Sequence, residues 1–115
     1  MLSATLTVKP IYVEQMIMTH GINADSEALD EVDVFKPDVG RIYSFARVPA
    51  KANEKLILKW YYQNELIGAV DNIVSDQGQI YWYLERPELF PQGQYRVELF
   101  DKTVHLKSKT FKVEK

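Results

Sequence analysis

Residues 56 to 62, Leu-Ile-Leu-Lys-Trp-Tyr-Tyr, constrain this chain more than any other stretch. Leu56, Leu58, Trp60 and Tyr62 fall on one side of an extended backbone, and Ile57, Lys59 and Tyr61 on the other. Period-two alternation of large apolar groups, rich in aromatics, predicts a half-buried β-strand. Trp60 is large enough to anchor a core, which predicts a central position for this strand.

The same alternation recurs along the chain. Ile80, Trp82 and Leu84 oppose Tyr81 and Tyr83, and Tyr95, Val97 and Leu99 oppose Arg96, Glu98 and Phe100. Shorter stretches read as strands around Leu6 to Lys9, within residues 11–20, from Val32 to Phe35, from Ile42 to Val48 and from Leu66 to Val70. The last strand opens at Val104 and Leu106 and closes at Phe111 and Val113. Its parity changes in between, which predicts a bulge at Lys107 to Lys109. Turns punctuate the strands at Pro37 to Gly40, Gln63 to Glu65, Ser75 to Gly78 and Asp101-Lys102. Gly68 marks a bulge or a close backbone contact. Leu89 and Phe90 are predicted to plug one end of the core.

No stretch longer than ten residues joins helical caps to a helical period. The pattern predicts one all-β domain over 115 residues: an antiparallel β-sandwich of about seven to nine strands, with Trp60 and Trp82 pointing into a shared interior. A chain of this length removes roughly two-thirds of its unfolded surface from water, enough for an independent core.

Composition argues against most kinds of chemistry. The chain has no cysteine, which excludes disulfides, thiol catalysis and thiolate metal sites. A net charge of -2 gives no whole-protein attraction to nucleic acid. No apolar run approaches the roughly 18 residues of a membrane-spanning helix, so no membrane insertion is expected. The first ten residues lack the basic-then-apolar pattern of a signal peptide. The compartment stays open, because the same domain could be cytoplasmic or cut from an exported chain.

Three sets of residues could carry a function. His20 and His105 are the only imidazoles, and no serine stands in a nucleophile-elbow context, so no catalytic residue and no enzyme are expected. Asp25, Glu27, Asp30, Glu31, Asp33 and Asp38 stand against a single Lys36 in residues 23–40. Their spacing lacks the glycine-centred geometry of a calcium loop, which favours a solvated surface loop over a cation site. Five lysines in residues 101–115 read as a basic edge strand that discourages aggregation.

Tyr61, Tyr81 and Tyr83 are the more informative set. With both tryptophans inward, these three tyrosines are predicted to share the outer face of one sheet, bordered by Lys59, Ile57 and Phe100. Such a row serves cross-strand pairing, contact with a protein partner or stacking of sugar rings. The expectation is a non-catalytic module that binds a protein or another part of its parent chain through Tyr61, Tyr81, Tyr83 and Lys59. The alternative is a carbohydrate-binding module using the same face. No cofactor is expected.

The order of features from Phe35 onward resembles a bacterial family of small immunoglobulin-like domains of unknown function. The resemblance rests on Gly40-Arg41-Ile42-Tyr43-Ser44-Phe45-Ala46-Arg47-Val48, on Trp60-Tyr61-Tyr62, on Tyr81-Trp82-Tyr83, on Pro91 to Val97 and on Phe111 to Val113. Lys59 stands where the family carries a basic residue or His, and Tyr95 where it often carries Trp. The resemblance implies an immunoglobulin-like accessory domain of a larger bacterial protein, with no activity or site residue to carry over. Gly93-x-Tyr95 is similar to the tyrosine corner of sandwich folds, in which the phenol bonds back to nearby backbone.

Overall fold

Residues 13–115 are described in a computed structural model, and within them eight strands form two packed sheets. The strand expected ahead of Pro10 lies outside the described residues. In chain order the strands are β1 Gln15–Thr19, β2 Val34–Phe35, β3 Arg41–Arg47, β4 Lys55–Tyr62, β5 Glu65–Ile73, β6 Gln79–Glu85, β7 Gly93–Asp101 and β8 Val104–Val113. One sheet has the order β1-β3-β6 and the other β2-β8-β7-β4-β5. This is the predicted β-sandwich, antiparallel throughout except where the two residues of β2 lie parallel to β8.

β4 is an interior strand of the larger sheet, between the border strand β5 and the central β7. Leu56, Leu58 and Trp60 point inward beside Tyr95, Val97 and Leu99 of β7 and Phe111 and Val113 of β8. Met16, Met18, Ile42, Ala46 and Ile80 meet them from the smaller sheet. The Trp60 indole stands edge-on to Phe111, with centroids 6.4 Å apart, and Phe111 stacks on Tyr95 at 5.1 Å. Tyr95 forms the expected corner: its hydroxyl donates to the Pro91 carbonyl at 2.6 Å. Burial pushes that phenol up to about 12, because ionising it would place a charge in the core.

Local chemistry sets the connections. Gln63 and Asn64 both take positive φ, 48° and 70°, so β4 and β5 are joined by a two-residue turn that matches strand twist. Gly78 adopts φ 85°, and a Cβ there would stand 2.8 Å from the Pro49 backbone. No other residue fits that turn without strain. Open space surrounds Gly68, so it marks no close approach; the β4–β5 bulge falls beside it, with Ile67 as the extra residue. The β8 bulge lies at Leu106, one residue before the predicted span, between the pairs Leu99–Lys107 and Phe100–His105.

Two expectations need correction, and a third gains detail. Trp82 is not in the buried cluster and is 37% exposed. It sits opposite Ser44, on the inward parity, but β6 is a border strand where the second layer ends. Inward parity buries a side chain only where another layer covers it. Leu89 is exposed, whereas Phe90 is buried in the core. The acidic segment is solvated as expected, with Asp25, Asp30, Glu31, Asp33 and Asp38 exposed, but it is also tied down at three points. Glu27 accepts from Arg47 and from the Gln79 amide, and Asp30 accepts from Thr19 at 2.6 Å. Asp33 pairs with Lys109 at 3.0 Å.

At the side of the sandwich where the two sheets' borders meet, Asn72 bridges them. Its amide nitrogen donates to the Tyr81 carbonyl at 2.7 Å, while its oxygen accepts from the Ile73 N–H at 2.9 Å. One side chain thereby satisfies backbone groups on both border strands.

Candidate functional site

The nominated residues divide between two surfaces. β4 pairs with β5 and β7, whereas β6 pairs with β3. Tyr61 and Lys59 therefore lie on the outer face of the five-stranded sheet, and Tyr81 and Tyr83 on the outer face of the three-stranded sheet. They do not share one face, because the chain crosses between sheets at residues 74–78.

On the five-stranded sheet the side chains satisfy one another. The Arg96 guanidinium lies 4.4 Å over the Tyr61 ring and its Nε donates to Glu98 at 3.2 Å. The Lys59 ammonium lies 4.4 Å over Phe100, and His105 stands edge-on to Phe100 at 5.4 Å. Arg96 also donates to Asn64 at 2.9 Å. Burial, followed by a hydrogen bond to Glu98, holds the Tyr61 phenol above its usual range. Cation, ring and carboxylate alternate here, so the groups that would greet a ligand already face one another.

The outer face of the three-stranded sheet differs. Ile17, Phe45, Thr19, Tyr43, Arg47, Tyr81 and Tyr83 share it. At the Arg47–Gln79 end, the segment from Gly21 to Asp30 is tied across it through Glu27, and Phe45 is only 1% exposed. At the opposite end lies an open groove of about 620 Å³, within the usual range for binding clefts. Tyr43 is among its lining, with Ile22, Leu29, Val39 and Pro87 as apolar walls. His20, Arg41, Glu85 and Arg86 supply its polar groups.

An aromatic row leaves this groove toward the border strand. Tyr43 packs on Tyr83 at 5.3 Å, and Tyr83 stacks with Trp82 at 5.3 Å and 16°. Arg41 lies 4.8 Å over Tyr83 and is held by Glu85. Trp, Tyr and Arg are the residues that dominate binding energy at protein interfaces.

His20 is held at the groove's edge by a chain of hydrogen bonds. Its Nδ1 lies 2.7 Å from Asp30 Oδ2, while Asp30 Oδ1 accepts from the His20 N–H at 2.8 Å and from the buried Thr19 hydroxyl. Thr19 is the main reason that the Asp30 carboxyl is held down at about 2, with the His20 contacts adding to it. Among the described residues no three His, Asp or Glu side chains converge as metal ligands would.

Of the nominated tyrosines, Tyr83 belongs to this aromatic row and Tyr81 shares its face. The tyrosine pattern missed Tyr43, Arg41 and Trp82. A signal existed for the first two, since Arg41 and Tyr43 alternate at the start of a strand. No sequence signal marked Trp82 as exposed, because exposure there depends on sheet order.

No family model matches this chain, and no curated protein matches it. Among solved structures, it is similar to the crystal structure of an immunoglobulin-like protein from Pseudomonas aeruginosa. The TM-score is 0.64 at 13% identity, over 91% of this chain and 95% of that one. At that identity the likeness shows the immunoglobulin-like fold alone.

Proposed function

We propose that this immunoglobulin-like sandwich is a non-catalytic interaction module that grips a protein partner, or another part of its parent chain, with the outer face of its three-stranded sheet. The observation that supports this reading is the Tyr83–Tyr43 pair beside the groove on that face, extended at the β6 border by the exposed Trp82, whose ring stacks on Tyr83. Rigid aromatics with an arginine beside them supply contact area at small entropic cost, and the groove gives a side chain somewhere to seat. Cations lie over rings on both faces, but among the described residues the five-stranded face has no exposed tryptophan.

The test compares three immobilised proteins: the wild type, a Trp82→Ser/Tyr83→Ser variant and a Tyr61→Ser variant. Polypeptides held by the wild type should be lost from the double variant and kept by Tyr61→Ser. Retention by the double variant at wild-type strength overturns the assignment. Tetrasaccharides titrated against Trp82 fluorescence separate protein from glycan: saturable quenching by a sugar, with no protein retained, would transfer the face to carbohydrate.

A further inference from the structure

The segment from Gly21 to Asp30 covers part of the three-stranded face without joining the core. None of its residues belongs to the apolar cluster between the sheets. It is built largely on itself. The Leu29 N–H donates to the Gly21 carbonyl at 2.9 Å, Ile22 pairs with Ala28 in a β-bridge, and Asn23 Oδ1 accepts from the Asp25 and Glu27 N–H groups at 2.8 and 3.1 Å. Ser26, at the tip, holds φ 61°, a left-handed conformation that few residues other than glycine adopt. A unit with internal hydrogen bonds and few buried apolar contacts opens locally at far less cost than the sheet beneath it.

One carboxylate fastens the tip to the sheet. Glu27 accepts from Arg47 on one oxygen and from the Gln79 amide on the other. Arg47 and Gln79 are register neighbours on β3 and β6, so the sheet itself brings both donors to one carboxylate. Gln79 is buried, and its amide oxygen accepts from the Ser75 hydroxyl at 3.1 Å, which fixes how the donor points. Apart from Glu27, the segment takes from this amide only a contact to the Asp25 carbonyl at 3.4 Å. Ile17 and Phe45 are buried on the same outer face yet stand outside the core cluster. Their cover therefore comes from outside the sandwich, and the Arg47 guanidinium, 5.6 Å over the Phe45 ring, is part of it.

We propose that this segment is an autoinhibitory strap: it occupies the binding face as a tethered ligand, and an acidic side chain of the partner replaces Glu27 on Arg47 and Gln79 as the strap lifts. The two donors fit any carboxylate placed there, since its two oxygens accept from two directions. A partner without an acid leaves both donors short of their acceptor, so the exchange selects for one that brings it. Lifting the strap uncovers Ile17 and Phe45 and joins them to Tyr43 and Tyr83 along β1, β3 and β6. This rests on the reading that the three-stranded face binds protein, and it adds that part of the face is masked and what displaces the mask.

The probe is acetyl-Ser-Glu-Ala-Leu amide, a copy of residues 26–29 with one carboxylate, alongside the same peptide with glutamine in place of glutamate. Each is titrated into ¹⁵N-labelled wild type, Glu27→Ala and Glu27→Gln. In Glu27→Ala the glutamate peptide should shift the Gln79 side-chain amide, the Arg47 Nε–H and the Phe45 and Tyr81 backbone signals. It should bind that variant about tenfold more tightly than wild type, where Glu27 competes, and about tenfold more tightly than the glutamine peptide does. Glu27→Gln keeps the size of the side chain and should fall between; it carries the same test if Glu27→Ala proves unfolded. Binding no tighter to the variants than to wild type overturns the proposal, as does the absence of shifts at Gln79 and Arg47. Equal binding of the two peptides overturns the carboxylate exchange. If the peptides fail while the Trp82/Tyr83 variant still loses its partner, only this inference falls. If the glutamate peptide behaves as expected but that variant keeps its partner, only the wider reading falls.

Discussion

The two outer faces of this sandwich use similar residues to opposite ends. Both carry at least one tyrosine, a phenylalanine and basic side chains. Cations cover rings on both, Arg96 on Tyr61 and Lys59 on Phe100 on the five-stranded sheet, Arg41 on Tyr83 and Arg47 on Phe45 on the three-stranded one. On the three-stranded sheet, part of the face is clamped beneath the Gly21–Asp30 segment and the rest is left open around Tyr43, Tyr83 and Trp82. An outward residue is therefore structural on one face, structural under the clamp on the other, and available only at that face's open end. Composition alone does not separate these roles; cover does.

Phe45 and Phe100 test this most severely. Both point outward from their sheets, but Phe45 is buried and Phe100 half-buried. Phe45→Ala should cost about 3 kcal/mol, the usual toll of emptying an aromatic-sized site. Phe100→Ala should cost about 1 kcal/mol, mostly lost apolar contact and the Lys59 interaction. Urea denaturation of the two variants measures the difference. Similar costs would mean that the Gly21–Asp30 segment does not seal its face.

Much of the architecture was legible before any coordinates. Period-two alternation identified the strands from β3 to β8, and the Pro, Gly and Asn positions placed their turns. The tyrosine corner followed from Gly93-x-Tyr95 and its hydroxyl bonds back as expected. What alternation cannot carry is strand order. Tyr61 and Tyr81 belong to different sheets because β5 and β6, neighbours in sequence, are borders of opposite layers. For the same reason Trp60 is buried and Trp82 is not, although both stand at inward positions in aromatic strands. The acidic segment was equally opaque. Glu27 looks like a free charge until Arg47 and Gln79, distant in sequence, arrive beside it, and Asp30 stays exposed while accepting from Thr19.

The clamp's pH dependence sharpens the contrast. Asp30 sits at about 2 in the folded protein against an ordinary 3.8. A depressed carboxyl contributes stability above its unfolded value, and that contribution fades as pH falls from about 4 through about 2. The shift corresponds to roughly 2.5 kcal/mol without screening. The side chain is 42% exposed, so about 1 kcal/mol is the expected contribution. Asp30→Asn should thus lower the melting temperature by about 4 °C at pH 7. The gap from wild type should close as pH approaches 2. A gap that persists unchanged at pH 2 would assign the loss to packing or hydrogen bonding rather than to the charge.

The smallest effect belongs to the five-stranded face, and its smallness is informative. Arg96→Gln removes the cation over Tyr61 and the ion pair with Glu98. Exposed cation–π and ion pairs contribute about 0.5 kcal/mol each, and a glutamine still covers part of the ring. The loss should stay under about 1 kcal/mol and shrink further in 1 M salt, where exposed charges are screened. Tyr61 emission should change as its ring is uncovered, while partner retention stays at the wild-type level. If Arg96→Gln instead abolishes retention, the self-paired ladder is itself a binding surface, and the division between a satisfied face and an available one fails.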